Sequence, residues 1–119
     1  KFPSDYEFII ALGYKGESIR DYLKITHPNH KFIFVNVDNY AVGNSGPGYS
    51  ALKCKEYLQR PFYFTMGDCL IDDKLPNLDG NWLGCHNTSY PEKYSTIKID
   101  DQGQELRFMN KSYQDLTQW

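Results

Sequence analysis

Residues 7–12, Glu7-Phe8-Ile9-Ile10-Ala11-Leu12, form a short and almost wholly apolar run that Gly13 ends. A run of this length without alternation has the form of a strand covered on both faces. The period then changes. Between Gly16 and Thr26, the residues Ile19, Tyr22, Leu23 and Thr26 recur at helical spacing, and His27-Pro28 stops the helix. A second strand follows over 31–37, rich in β-branched and aromatic residues. A polar, Gly-rich passage over 38–48 leads into a second helix over 47–59, with Pro47 in the first turn, where its missing N–H costs nothing. Pro61 separates that helix from a third apolar run, Phe62-Tyr63-Phe64-Thr65-Met66. The order β-α-β-α-β, with helical crossovers, predicts parallel strands that include 8–12, 32–37 and 62–66.

Beyond residue 66 the pattern loosens. Residues 70–80 read as a loop, with Pro76, Asn77 and Asp79-Gly80 as turn signals. Residues 82–86 read as a further strand. Residues 96–99 and 105–109 flank Asp100-Asp101-Gln102-Gly103, a hairpin signature. No internal repeat or low-complexity stretch divides the chain. Residues 1–119 therefore read as a single α/β domain. It is a Rossmann-like three-layer sandwich with a mostly parallel central sheet and a C-terminal β-hairpin.

Composition narrows the function classes. At 40% hydrophobic residues the chain can build a core, which excludes a disordered tail. Lys and Arg number 13 against 15 Asp and Glu, so the basic stripe that a nucleic-acid partner needs is not expected. No apolar run approaches the roughly 20 residues that span a bilayer, and the opening residues lack signal-peptide organisation. The cysteines, Cys54, Cys69 and Cys85, are three in number and widely spaced, unlike a secreted disulfide framework. None forms a CxxC pair, and His27, His30 and His86 complete no zinc pattern. They read as reduced, structural thiols of a cytoplasmic protein. In that setting Asn87-Thr88-Ser89 and Asn110-Lys111-Ser112, which match the glycosylation tripeptide, carry no meaning.

Few residues stand out chemically. Gly67-Asp68 follows the third apolar run directly, and ligands of open parallel sheets bind beyond the carboxyl ends of the strands. An aspartate there can hold Mg2+, a hard cation that takes one or two carboxylates plus substrate phosphates, or it can simply cap a turn. Asn44-Ser45-Gly46-Pro47-Gly48 precedes a helix, so it is either a close-approach site for a flat ligand or a plain connection. Gly13-Tyr14-Lys15-Gly16 is neither a GxGxxG nor a Walker loop and reads as a turn. Lys111 can reach a phosphate as a point charge, or stand solvated. The pairs Asp72-Asp73 and Asp100-Asp101 read as solvated turns.

The order of these pieces resembles the sugar-1-phosphate nucleotidyltransferase family. Residues 8–19 resemble that family's second strand and helix. Gly46-Pro47-Gly48-Tyr49-Ser50-Ala51-Leu52 looks like its Gly-Thr-Ala segment, whose glycine lies against the nucleobase. Residues 62–68 are similar to the strand ending in Gly-Asp, whose aspartate binds the catalytic magnesium. Tyr90-Pro91-Glu92-Lys93-Tyr94-Ser95-Thr96, continuing to Asn110-Lys111, resembles the Pro-Glu-x-Tyr-Gly…Glu-Lys passage that contacts the sugar phosphate.

The resemblance implies a Mg2+-dependent cytoplasmic enzyme of nucleotide-sugar biosynthesis, whose partners are a nucleoside triphosphate and a sugar 1-phosphate. Asp68 would hold the metal, with Gly67 beside it. Gly46 and Pro47 would seat the base, and Ser95, Asn110 and Lys111 would face the sugar phosphate, with Asp68 and Lys111 as catalytic groups. Base, sugar and self-association are left open.

The chain departs from the family at Pro47 for Thr, Ser95 for Gly and Asn110 for Glu. It also begins at what would be the family's second strand, without the Gly-rich, Arg-containing triphosphate loop. It therefore reads as an incomplete nucleotidyltransferase domain, with two rival readings. One is a non-catalytic regulatory or assembly module. The other is a glycosyltransferase of related fold, for which Asp68-Cys69-Leu70 lacks the usual Asp-x-Asp. The 119 residues alone are expected to release no pyrophosphate from any nucleoside triphosphate mixed with sugar 1-phosphates. A coupled pyrophosphate assay on the purified chain checks this, and turnover there would contradict it.

Overall fold

The structure, a computed structural model, describes residues 2, 5–40 and 46–109, with the backbone alone over 105–109. The chain divides into two compact units, Lys1–Asn81 and Trp82–Trp119.

In the first unit the apolar runs become β1 (Glu7–Leu12) and β2 (Lys31–Asn36), joined by α1 (Gly16–Thr26). The strands are parallel and in register from Glu7 opposite Lys31 to Leu12 opposite Asn36. The pairing sets aromatic residues side by side, with the rings of Phe8 and Phe32 5.7 Å apart and Phe32 stacked on Phe34 along β2. The ladder continues one step past the strands, where Val37 N–H donates to the Leu12 carbonyl at 2.8 Å.

Two cationic side chains of helix α1 reach Phe34 of β2, Lys24 at 6.0 Å and, more closely, Arg20. Arg20 lies over the Phe34 ring at 5.4 Å, donates to Asn36 Oδ1 at 3.4 Å, and pairs with Glu17 one turn back at 3.2 Å. The Glu17 pair is a surface contact of about 0.3 kcal/mol. The contacts to β2 fix which way the helix faces. The helix ends as its sequence predicts, at His27-Pro28, with His27 N–H still donating to the Leu23 carbonyl.

The second helix is shorter than the 47–59 expected. α2 spans Pro47–Lys53 and tightens at Cys54, whose N–H is shared between the Ser50 and Ala51 carbonyls. A 3₁₀ turn, Lys55–Tyr57, follows, and Gln59 Nε2 donates back to the Lys55 carbonyl. A shared donor of this kind is how an α-helix gives way to the tighter form.

Residues 62–66 do not form the expected third strand. They belong to no ladder, and Phe62, Phe64 and Met66 stay about half exposed. An apolar extended segment becomes a strand only beside a partner, and here a cavity lies between it and β1. Nor is 7–12 covered on both faces. Phe8, Ile9 and Ile10 are half-buried, and the buried core among the described residues is Leu12, Val37 and Cys54. The unit is thus α/β, with a two-stranded parallel sheet and two helices among the described residues.

The second unit holds a 3₁₀ turn, Pro91–Lys93, and the hairpin of β3 (Thr96–Ile99) and β4 (Glu105–Met109). The turn forms where the sequence predicts. Asp100 Oδ1 accepts from the N–H groups of Gln102 and Gln104, at 2.9 and 2.8 Å, and Gly103 takes the left-handed φ of 76°. The pairing jumps from Lys98–Arg107 to Ile99–Glu105, leaving Leu106 as a bulge residue. The expected strand over 82–86 is not formed; all five residues are exposed and have no ladder. Among the described residues no helix is long and apolar enough to cross a membrane.

Leu12→Ala should destabilise the first unit by about 2–4 kcal/mol, because Leu12 is 3% exposed in a core with few other buried side chains. Ile25→Ala, at a 78% exposed site on α1, should change stability by less than about 0.5 kcal/mol. Urea unfolding of both variants checks this. Equal effects would mean that Leu12 is not the core residue its burial indicates.

Candidate functional site

Because β1 and β2 are parallel, their carboxyl ends fall on the same side, and two short loops leave from there. The first, Gly13-Tyr14-Lys15, turns into α1. Only glycine fits at its start, since a Cβ on Gly13 would lie 2.9 Å from Tyr40 Cγ in the second loop. Lys15, at the N-cap of α1, and Asn39, after β2, both hold left-handed backbone, with φ of 55° and 57°. Such conformations cost energy outside glycine and gather where function constrains the chain. Neither residue was singled out by sequence reasoning, since nothing in a lone Lys or Asn marks it.

Helix α2 starts with Gly46 extended at φ −155° and Pro47 in its first turn. Near its end Lys53 pairs with Asp38 at 3.9 Å. A Cβ on Gly46, Gly48 or Gly67 would meet open space, and none of the three has a left-handed φ. Neither packing nor strain among the described residues calls for glycine there, so the backbone stays open to close approach from outside.

Gly67 and Asp68 form the turn expected of them, closed by Cys69 N–H donating to the Met66 carbonyl at 3.1 Å. The Asp68 carboxylate is exposed and accepts the weak thiol donor of Cys69 at 3.8 Å. Among the described residues, no three His, Cys, Asp or Glu side chains gather into a metal cage. A single exposed carboxylate beside an open glycine is nonetheless a donor set that suits Mg2+, which completes its shell with phosphates and water.

The sugar-phosphate residues fall elsewhere. Ser95 is exposed just before β3, in the second unit. Asn110 and Lys111 lie outside the described residues. The structure therefore brings Gly67 to Asp68 and Gly46 to Pro47, neighbours in sequence, while Ser95 belongs to the other unit.

Sequence reasoning missed the cavity. It has a volume of about 650 Å³ within the first unit, and its walls come from β1, α2 and residues 60–67, including Gly67. Cys54 lines it, 4% exposed, and burial pushes its thiol above the ordinary cysteine value. No family model, curated protein or solved structure gives a significant match to the chain.

Since a raised pKa leaves less thiolate at a given pH, Cys54 should react slowly while the exposed Cys69 and Cys85 react fast. Titration with Ellman's reagent at pH 8 should show one slow phase, at least about 10-fold slower, that disappears in Cys54→Ser and quickens as the pH is raised. Three equal rates would contradict this.

Proposed function

We propose that this chain is the core of a sugar-1-phosphate nucleotidyltransferase, which joins a nucleoside triphosphate and a sugar 1-phosphate into a nucleotide-sugar and pyrophosphate. The observation that carries the reading is the Gly67-Asp68 turn, where an exposed carboxylate stands beside a glycine that none of the described residues requires. The same openness toward the described residues at Gly46, where α2 begins, supports a seat for the base.

A phosphate oxygen of the sugar 1-phosphate attacks the α-phosphate of the triphosphate, and pyrophosphate leaves. Little covalent work falls to the protein, whose residues hold two polyanions in line. Asp68 would hold Mg2+, which when bound neutralises charge on the triphosphate and the departing pyrophosphate. Gly46 and Pro47 let the base lie flat against the backbone. The resemblance assigns the sugar phosphate to Ser95, Asn110 and Lys111.

Asp68→Asn in the full natural length of the protein should lower kcat by on the order of 100-fold, about 3 kcal/mol, with KM changing far less. The loss falls on kcat because a metal ligand matters most as charge shifts to the leaving group. Steady-state kinetics across a magnesium titration, with thermal unfolding as the folding control, provide the test. Activity within a few-fold of the parent at every magnesium concentration would make Asp68 a turn residue only. If the full-length parent releases no pyrophosphate with any pair of substrates, the reading as a whole fails.

A further inference from the structure

The cavity has an unusual outline. Tyr6, Glu7, Phe8, Ile9, Ile10 and Ala11 all border it, in unbroken succession. Successive side chains of a strand point to opposite faces, so a space touched by every residue in a row meets the strand at its edge. That edge is the one away from β2, of whose strand residues Lys31 alone lines the space.

The Leu12 carbonyl points toward β2, because it accepts from Val37 N–H. Along a strand, each residue's N–H and C=O point to one side and those of the next residue to the other. Phe8 and Ile10 therefore face β2, while the N–H and C=O groups of Glu7, Ile9 and Ala11 face the cavity. Among the described residues β1 has no other ladder partner to take them up.

Across the space stands a second row, Pro61-Phe62-Tyr63-Phe64-Thr65, which also borders it without a break. This row is held at Tyr63, which stacks on Tyr6 with centroids 6.1 Å apart and donates to the Pro76 carbonyl at 2.7 Å, and the Arg60–Glu7 ion pair precedes it. Ser50, Ala51 and Cys54 of α2 also line the space. Among the described residues its charged lining, Asp5, Glu7, Lys31 and Arg60, lies where β1 and β2 begin, and the rest is mostly apolar, with the hydroxyls of Ser50, Thr65 and three tyrosines among it.

We propose that this cavity is a slot for one extended, uncharged apolar peptide strand, which pairs with the edge of β1 through Glu7, Ile9 and Ala11. Three features select that occupant over a compact ligand. The backbone donors and acceptors of β1 repeat at strand spacing, the space follows the β1 edge along residues 6–11 without a break, and residues 61–65 border it equally continuously on the other side. A strand matching residues 7–11 is about 13–17 Å long, at roughly 3.3 Å per residue. The inference stands on the geometry of the first unit and does not rest on the nucleotidyl-transfer reading, so either can fail without the other.

The test is amide hydrogen exchange by NMR on the isotope-labelled chain, with and without a synthetic peptide of alternating valine and isoleucine between terminal lysines. The control is the same peptide with alternate backbone amides N-methylated, which keeps its apolar surface and removes its pairing. In the free chain Ile9 and Ala11 should exchange faster than Phe8 and Ile10. The plain peptide should slow Ile9 and Ala11 by about 10-fold or more and leave Phe8 and Ile10 nearly unchanged. The methylated peptide should do neither.

Ala51→Leu and Ala51→Trp, which fill the slot from α2, should reduce the effect in that order. Should the Trp variant unfold, the Leu variant and the parent still decide. No slowing, equal slowing by both peptides, or variants that behave like the parent would overturn the proposal. Slowing at Ile9 and Ala11 that grows with protein concentration alone would overturn it too, by putting a second copy of the chain in the slot.

Discussion

The first unit depends on the parallel pairing of β1 with β2. Parallel neighbours cannot be joined by a tight turn, so the pairing demands a crossover, and α1 is that crossover. The crossover in turn needs an anchor, which Arg20 provides on Phe34 and Asn36. The ladder also determines where the buried core can lie. Leu12 and Val37, the two residues joined by its last hydrogen bond, are buried, and the strand residues before them are mostly half-covered. A sheet of two strands leaves half of its backbone bonds on outer edges, and much of the unit's architecture follows from where those edges face.

The second unit rests on a different kind of organisation. Its hairpin is specified by near neighbours: one aspartate side chain accepts two backbone N–H groups, and one glycine takes a conformation that other residues resist. Contacts so close in sequence cost little chain entropy to form. The ladder of the first unit joins residues 24 positions apart, as Glu7 and Lys31 are, and becomes worthwhile only once the helix between them has docked.

That contrast explains what was legible in the sequence. The turn at 100–103 and the end of α1 at His27-Pro28 are written in local chemistry and could be read directly. The strands at 7–12 and 31–36 were legible because their apolar runs find each other. The run at 62–66 has the same composition and forms no strand, since pairing is a property of two segments and periodicity describes one. Residues 82–86 fail for the same reason. α2 stops early at a donor shared between two carbonyls, which no residue type announces. Of the candidate site, the open space at the glycines and the exposure of Asp68 are properties of single residues, shared by a plain turn and a ligand seat. The cavity was invisible to it, because its walls are brought together from three separate stretches of chain.

The contact between Gly13 and Tyr40 couples the loop after β1 to the loop after β2. With no room for even a methyl group between them, neither loop can shift toward the other without moving it. The close approach places the Tyr40 side chain directly against the start of the first loop. The same tightness bears on inheritance. A side chain gained at position 13 would have to displace the Tyr40 side chain, so what is tolerated at one position depends on the residue at the other.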